Sequence, residues 1–501
     1  MRIGAPVIDT VLPVDHWRST IVDRLAAGDR FAALFGTTNE NGCYITALLA
    51  GRNSIDAVHT VAPATGDETP SYRCLSDEVP AAFWYERALH DLSGVVPVGH
   101  PRLDPLLLPL ADGLPAPRPG LLPARQTLRP LETRGPVDVQ GRGMFVIPFG
   151  PVRSGVVESI EYLIETPGED IPHLNIRPHY KHRGVAKSFE GLTPDRGVLV
   201  AERVEGIASV SHALAFCHAI ERLSGTTVPA TAGRARVVHA ELERIINHLD
   251  VVMRLTDAAG LAVATARFGW HKERFMRLVS QLCGNRFGRG VVIPGGVSDQ
   301  RWVMTPGRIA DEVAWMVPAV RADSAALMTT ASFLDRVRGT GRLDADLARR
   351  CGALGPVARG SGFNDDDRWV RGYDAYPELL PPRPATQDAG DAAARLRVRL
   401  EEINSSAELI ARALEGLDMT GGALTADSQV EDGFALGWAE APQGEVLYAV
   451  QCRAGRIVRC LARSASFHNL LLFHDVFRGD VLTDFPFIEA SFGLSPAGVA
   501  M

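Results

Sequence analysis

Cysteine is scarce in this chain and never paired. The 501 residues hold seven cysteines, an odd count, and no two of them form a CxxC. That spacing supports neither a disulfide framework nor a cysteine-ligated cluster. Scattered cysteines of this kind most often pack as small buried hydrophobes in a reducing compartment. Long apolar runs are missing as well. Leu106-Leu107-Leu108-Pro109-Leu110 is short and broken by proline, far below the roughly 20 residues that a membrane span needs. Met1 to Pro6 lack the apolar core of a signal peptide. No basic run stands out and the net charge is -7, which argues against a nucleic-acid partner. No G-x-G-x-x-G lies in a strand–helix setting, so direct NAD binding has no cradle. What is present is ordinary: 46% apolar and 22% charged residues, enough chain for roughly two to four domains.

Punctuation divides the chain. Residues 1–110 mix short β-like runs with one early helix; Phe31–Gly36 and Cys43–Leu49 read as strands. Residues 111–142 are rich in proline, including Pro115, Pro117, Pro119 and Pro123, and read as a semi-rigid linker. Residues 143–501 form the third part. A strand over Val156–Glu165 opens it, and helices dominate after residue 190. Val238, Leu242, Ile245, Leu249 and Val252 share one helical face, as do Ile309, Val313, Met316, Val317 and Val320. Asp391 is a candidate N-cap for a long helix carrying Leu396, Leu400, Ile403, Leu409, Ile410 and Leu414. Residues 359–390 read as a loop, most polar at Asn364–Asp367. The expected fold is an α+β N-terminal domain followed by a mainly α domain with a small β-sheet.

Two segments at opposite ends of that third part look like metal-binding frames without their ligands. Arg203-Val204-Glu205-Gly206-Ile207-Ala208-Ser209-Val210-Ser211-His212 resembles R-x-C-G-x-C-x-x-x-H. Glu205 and Ala208 stand at its two cysteine positions. Ser491-Phe492-Gly493-Leu494-Ser495-Pro496-Ala497-Gly498 stands where a D-P-C-x-x-C would be, with Ser495 and Gly498 for its cysteines. Pro178–Lys187 resembles G-x-x-H-R-G-x-E-K, with Ala186 for the glutamate. Ala240–Leu249 resembles A-E-L-x-R-I-x-N-H-L, and Phe477–Pro486 resembles R-G-D-x-x-x-D-x-P. Their shared order is that of the nickel–iron hydrogenase and respiratory complex I large-subunit family, in its formate hydrogenlyase type. Trp84–Gly94 and Gly99–Leu103 are similar to W-x-E-R-E-x-x-D-x-x-G and G-H-P-x-L, the signature of the small α+β subunit beside it in complex I. Ala88 departs from that signature.

The resemblance implies a subunit of a membrane-associated oxidoreductase complex, peripheral on the cytoplasmic face. It implies an iron–sulfur small subunit and membrane-arm subunits as partners. The iron–sulfur cluster would sit on the partner, with no cofactor and no metal on this chain, since Glu, Ala, Ser and Gly cannot replace four thiolates. A quinone pocket stays open as an alternative. However, Gly150–Glu158 holds no histidine and Val200 stands near the expected tyrosine. A purely structural subunit is the other alternative. Glu205 is then either a protonatable group in the vacated cavity, on one helical face with Ala208, or a salt-bridge partner of a group such as Arg203. Glu158 is either a proton-transfer group or an exposed strand charge. The resemblance places His182, Arg183 and His248 near the partner's cluster, although a lone helical histidine is ordinarily core or cap. His212 is expected to pack and hydrogen-bond.

Overall fold

The structure, a computed structural model, describes residues 11–39, 42–63, 69–109, 139–154, 157–299, 302–381, 383–419 and 423–501. Apolar alternation in the first part makes a sheet. Strands β1 (Val11–Leu12), β2 (Arg30–Asn39), β3 (Gly42–Ala50) and β4 (Ile55–Pro63) lie in the order β1-β4-β3-β2, antiparallel except for β1 against β4. Helix α1 (Val14–Ala26) buries Trp17 and Ile21 against it. The two expected strands are thus present and slightly longer. Strands β5 (Ser71–Arg73) and β6 (Val96–Val98) flank a second helix, α2 (Phe83–Ser93), which carries the Trp84–Gly94 motif.

The motif's charged residues act inside the fold. Glu86 accepts hydrogen bonds from the Leu75 and Ser76 N–H groups and the Tyr72 hydroxyl. Arg87 meets Asp104 at 2.6 Å, and Asp91 accepts the N–H groups of Leu106, Leu107 and Leu108. Buried polar groups persist only when satisfied, so these positions fix two turns. Most of the linker expected at 111–142 lies outside the described residues. At its end, Val139 N–H donates to Glu165 at 2.6 Å.

The large part opens with an antiparallel sheet of β7 (Phe145–Phe149), β8 (Glu161–Thr166) and β9 (His173–Arg177). The strand expected from Val156 begins at Glu161; Val156 itself lies outside the described residues. Helices α3 (Val185–Ser188), α4 (Pro194–Ala201), α5 (Ser209–Ser224), α6 (Ala230–Ala258) and α7 (Ala262–Cys283) follow, then the short pair β10 (Val292–Ile293) and β11 (Gly296–Val297). Next come α8 (Pro306–Leu327), α9 (Ala331–Val337), α10 (Ala345–Arg350), α11 (Gly355–Arg359), α12 (Asp367–Val370), α13 (Tyr376–Leu379) and α14 (Ala392–Leu414). Strands β12 (Gly433–Ala441), β13 (Gly444–Arg453) and β14 (Arg456–Arg463) form an antiparallel sheet before α15 (Ala465–Leu470), α16 (Phe485–Phe492) and α17 (Pro496–Val499). Both helical stripes are buried, on α6 and α8. The Asp391 side chain accepts the Ala394 N–H at 2.7 Å, as an N-cap should. The large part therefore holds three sheets among the described residues, where one small sheet was expected. Gly437 lets α5 lie across β12, because a Cβ there would overlap the Ala215 carbonyl oxygen.

Residues 359–390 are not a plain loop. They contain α12 and α13, and Asp366 and Asp367 have no exposed area. Their charge is answered by arginines from several elements. Arg368 and Arg359 reach Asp366 at 2.8 and 3.1 Å, and Arg371 pairs with Asp367. The network extends through Glu241, Arg244, Glu402 and Glu440 to Glu445, which Arg30 of β2 meets at 2.7 Å. Together with Arg371 donating to Gly51 O and Tyr85 bonded to His468, it ties the first part to the large one.

Candidate functional site

Residues 202–208 leave α4 as a series of turns, and α5 starts only at Ser209. Glu205 and Ala208 therefore precede the helix and do not share a helical face as expected. The chain's last residues arrive beside them. A Cβ on Gly498 would overlap Oε2 of Glu205 and stand 2.7 Å from Ser464 Oγ. The two segments read from the sequence as emptied ligand frames, nearly 300 residues apart, thus meet.

Glu205 is 1% exposed. Its Oε1 accepts from Ser464 Oγ and from His212 Nε2, both at 2.9 Å, while Oε2 has no partner. His212 Nδ1 shares a 2.8 Å bond with the Tyr448 hydroxyl. Burial raises the Tyr448 phenol well above its usual value, so it remains an O–H and donates to Nδ1. His212 then offers Nε2–H to Glu205. Arg203 turns away to pair with Glu202, so the salt bridge expected for Glu205 is replaced by a histidine contact.

Glu158 sits before β8 rather than on a strand, and is half-buried. It accepts from Ser495 Oγ at 2.9 Å and from the Ala497 N–H. Ser495 N–H donates in turn to Ser466 Oγ at 3.0 Å. Arg183 is exposed, and it donates to Val204 O at 2.6 Å and Ala497 O at 2.8 Å. One guanidinium thereby clasps the backbone of both vacated frames. His182 is half-buried beside it; burial lowers its pKa, partly offset by a bond to the Met501 backbone.

His248 is different. It has no exposed area, and its Nε2 bonds Glu402 at 2.7 Å inside the arginine network. Burial pushes it down to about 4 despite that bond. It lies in the interior of this chain, within the arginine network. Tyr448, Ser464 and Ser466 complete the Glu205 site without any signal in the sequence, for they come from β13 and the start of α15, far along the chain.

Two family models match: the respiratory-chain NADH dehydrogenase 49 Kd subunit over residues 260–433, and its 30 Kd subunit over residues 18–125. The membrane-bound hydrogenase subunit alpha of Pyrococcus furiosus is 30% identical over 366 residues, 68% of this chain and 83% of that protein. The chain belongs to the nickel–iron hydrogenase and complex I large-subunit family. Formate hydrogenlyase subunit 5 of Escherichia coli is 28% identical over 477 residues, covering 93% of this chain and 83% of that one. The 49 Kd-like and 30 Kd-like portions are thus fused in one polypeptide. An archaeal respiratory complex, the membrane-bound sulfane sulfur reductase, contains a chain of the same fold (TM-score 0.67, 24% identity, 72% of this chain and 99% of that one).

The nickel–iron pair that gives this family its name does not fit here. The four thiolate positions offer a carboxylate, a methyl, a hydroxyl and a bare Cα. Cys217 of α5 is fully buried, and burial raises its thiol well above the usual value. Among the described residues no group of three or more His, Cys, Asp and Glu could hold a metal ion.

Proposed function

We propose that this chain is the large subunit of a membrane-associated, hydrogenase-like or complex I-like oxidoreductase complex, packed against an iron–sulfur small subunit and lacking a nickel–iron centre. The observation that carries it is the meeting of Glu205 and Gly498, from the two frames, with no room left between Gly498 and the Glu205 carboxylate. The relatives named above are subunits of membrane-bound hydrogenase or complex I-like assemblies, which supports membrane-arm partners and a peripheral place on the cytoplasmic face. Among the described residues no helix is long and apolar enough to cross a membrane. Electrons would run through the cluster of the small subunit, with Arg183 the charged residue closest in kind to that role, because its positive charge is permanent. The Tyr448–His212–Glu205 chain and Glu158 are suited to hold and pass protons, since each link is a hydrogen bond to a titratable or hydroxyl group.

A second reading places a quinone headgroup in the open cleft of about 520 Å³ that includes Arg183, Leu199, Val200 and Val204. Its apolar wall favours such a ligand, while the absence of a tyrosine at Val200 removes one hydrogen bond.

Purification of the tagged chain with its native partners tests the main reading. Elemental analysis should find no nickel, and iron only in proportion to a co-purifying iron–sulfur protein. One nickel per chain would sink it, and a chain that purifies alone as a stable monomer would remove the small-subunit contact.

A further inference from the structure

A cleft of about 330 Å³ lies between α6 and α7, bounded at its ends by Gly206–Ile207 and Arg286–Gly288. Its basic groups Lys272, Arg254 and Arg286 are already paired. Asp250 meets Lys272 at 2.7 Å and Arg254 at 2.8 Å, and Glu273 pairs with Arg286. Glu243 accepts from the Val210 and Ser211 N–H groups at 2.6 and 3.0 Å. An anionic ligand would find Lys272, Arg254 and Arg286 already engaged and would have to break one of these pairs.

Two side chains are not satisfied. His239 is 1% exposed and neither ring nitrogen has a partner; Asn247 is 4% exposed and its Oδ1 has none. Both line the cleft. A buried polar group left without a hydrogen bond costs about 1–3 kcal/mol, and native proteins hold few of them. Burial pushes His239 down to about 4, so it is a neutral imidazole with one donor and one acceptor. Met253, Met276 and Ile246 supply an adaptable apolar wall.

We propose that this cleft binds a small uncharged ring compound bearing a hydroxyl group. A hydroxyl both donates and accepts, so it can meet a ring nitrogen of His239, while Asn247, eight residues further along α6, offers its Oδ1 to a second polar group or to water. The ring lies against the methionines, a chemistry typical of small-molecule pockets with a few convergent polar groups. The site adjoins the first of the two frames, at Gly206 and Ile207. Because Gly206 and Ile207 form one of its ends, an occupant would also steady the turn that carries Glu205.

The full-length chain should be titrated with 1-naphthol by isothermal calorimetry, with 1-naphthoate as the charged counterpart. The expected result is one saturable site for 1-naphthol and at least tenfold weaker binding of 1-naphthoate. His239→Leu should weaken 1-naphthol at least tenfold. Met253→Trp, at a half-buried wall position, should abolish binding by filling the cleft, and it keeps the test decisive if His239→Leu fails to fold. No saturable binding would mean that water alone meets His239 and Asn247. Binding unchanged by Met253→Trp would place the ligand elsewhere. Either result overturns the proposal.

Discussion

His212 and His248 stand on adjoining helices, both without exposed area, and each bonds a glutamate through Nε2, at 2.9 and 2.7 Å. The glutamates make them unlike. Glu402 also meets Arg359 at 2.8 Å and Arg244 at 3.9 Å. Burial by itself would raise its carboxyl, yet Arg359 and the His248 bond outweigh burial and hold it well below the usual range. Glu205 has no arginine or lysine within ion-pair distance among the described residues; its donors are a serine and an imidazole. Around His248 the charges are fixed by compensation. Around His212 the partners are a tyrosine hydroxyl, a serine hydroxyl and the Glu205 carboxylate, with no arginine among them. The first arrangement is a cluster of ion pairs, and the second is a chain of hydrogen bonds.

The largest break should come from removing the caged anion. Glu402→Leu leaves Arg359 buried with one countercharge fewer and should cost about 3–5 kcal/mol. Glu205→Gln keeps the shape and the Ser464 bond and should cost about 1 kcal/mol. Denaturant midpoints measure both, and equal losses would erase the contrast. Next comes pH. An unfolded histidine takes up its proton near 6.5 and folded His248 only near about 4. Between those values the unfolded state binds more protons, so stability falls as pH falls. At pH 4.5 that single group removes about 2–3 kcal/mol. His248→Gln should lack this loss, and stability curves of the two proteins from pH 7 to pH 4.5 should converge accordingly. Parallel curves would show that His248 does not titrate as described.

Gly498→Ala forces a Cβ into the Glu205 carboxylate and should cost about 1–3 kcal/mol. In a Glu205→Ala background the penalty should drop by at least about 1 kcal/mol, because the two sites share one space. Additive losses would mean that the contact is relieved elsewhere. The smallest effect belongs to the clasp. Arg183→Met should cost about 1 kcal/mol through its two strongest carbonyl bonds, and in the assembled complex it should lower the partner cluster's midpoint by tens of millivolts, roughly what a charge about 6 Å away exerts after screening. A redox titration followed by paramagnetic resonance reads the second part; an unmoved midpoint would leave Arg183 a clasp and nothing more.

The stripes on α6 and α8, the Asp391 cap and strands β2 and β3 were legible because each depends on neighbours within a few residues. The two frames were legible because the flanking Arg203, Gly206 and His212 keep the spacing around Glu205 and Ala208. Which groups surround Glu205 was not. Tyr448 and Ser464 reach Glu205 from over 200 residues away, and nothing in their local sequence marks them. Asp366 and Asp367 read as solvated loop for the same reason: polarity predicts exposure until arginines from other elements answer it. His248 belongs to a motif that the sequence shows plainly, but its depth is set by Glu402 on α14, which no spacing reveals.

The overlap between Gly498 and Glu205 also bears on substitution. Placing cysteine singly at these positions meets an obstacle at either end. Cysteine at 498 would arrive in occupied space while Glu205 remains. Cysteine at 205 would leave His212 and Ser464 without their shared acceptor. The first obstacle disappears once Glu205 is replaced, whereas the second does not depend on residue 498. The carboxylate at 205 and the missing side chain at 498 therefore fit as a pair, and a change at either one is felt at the other.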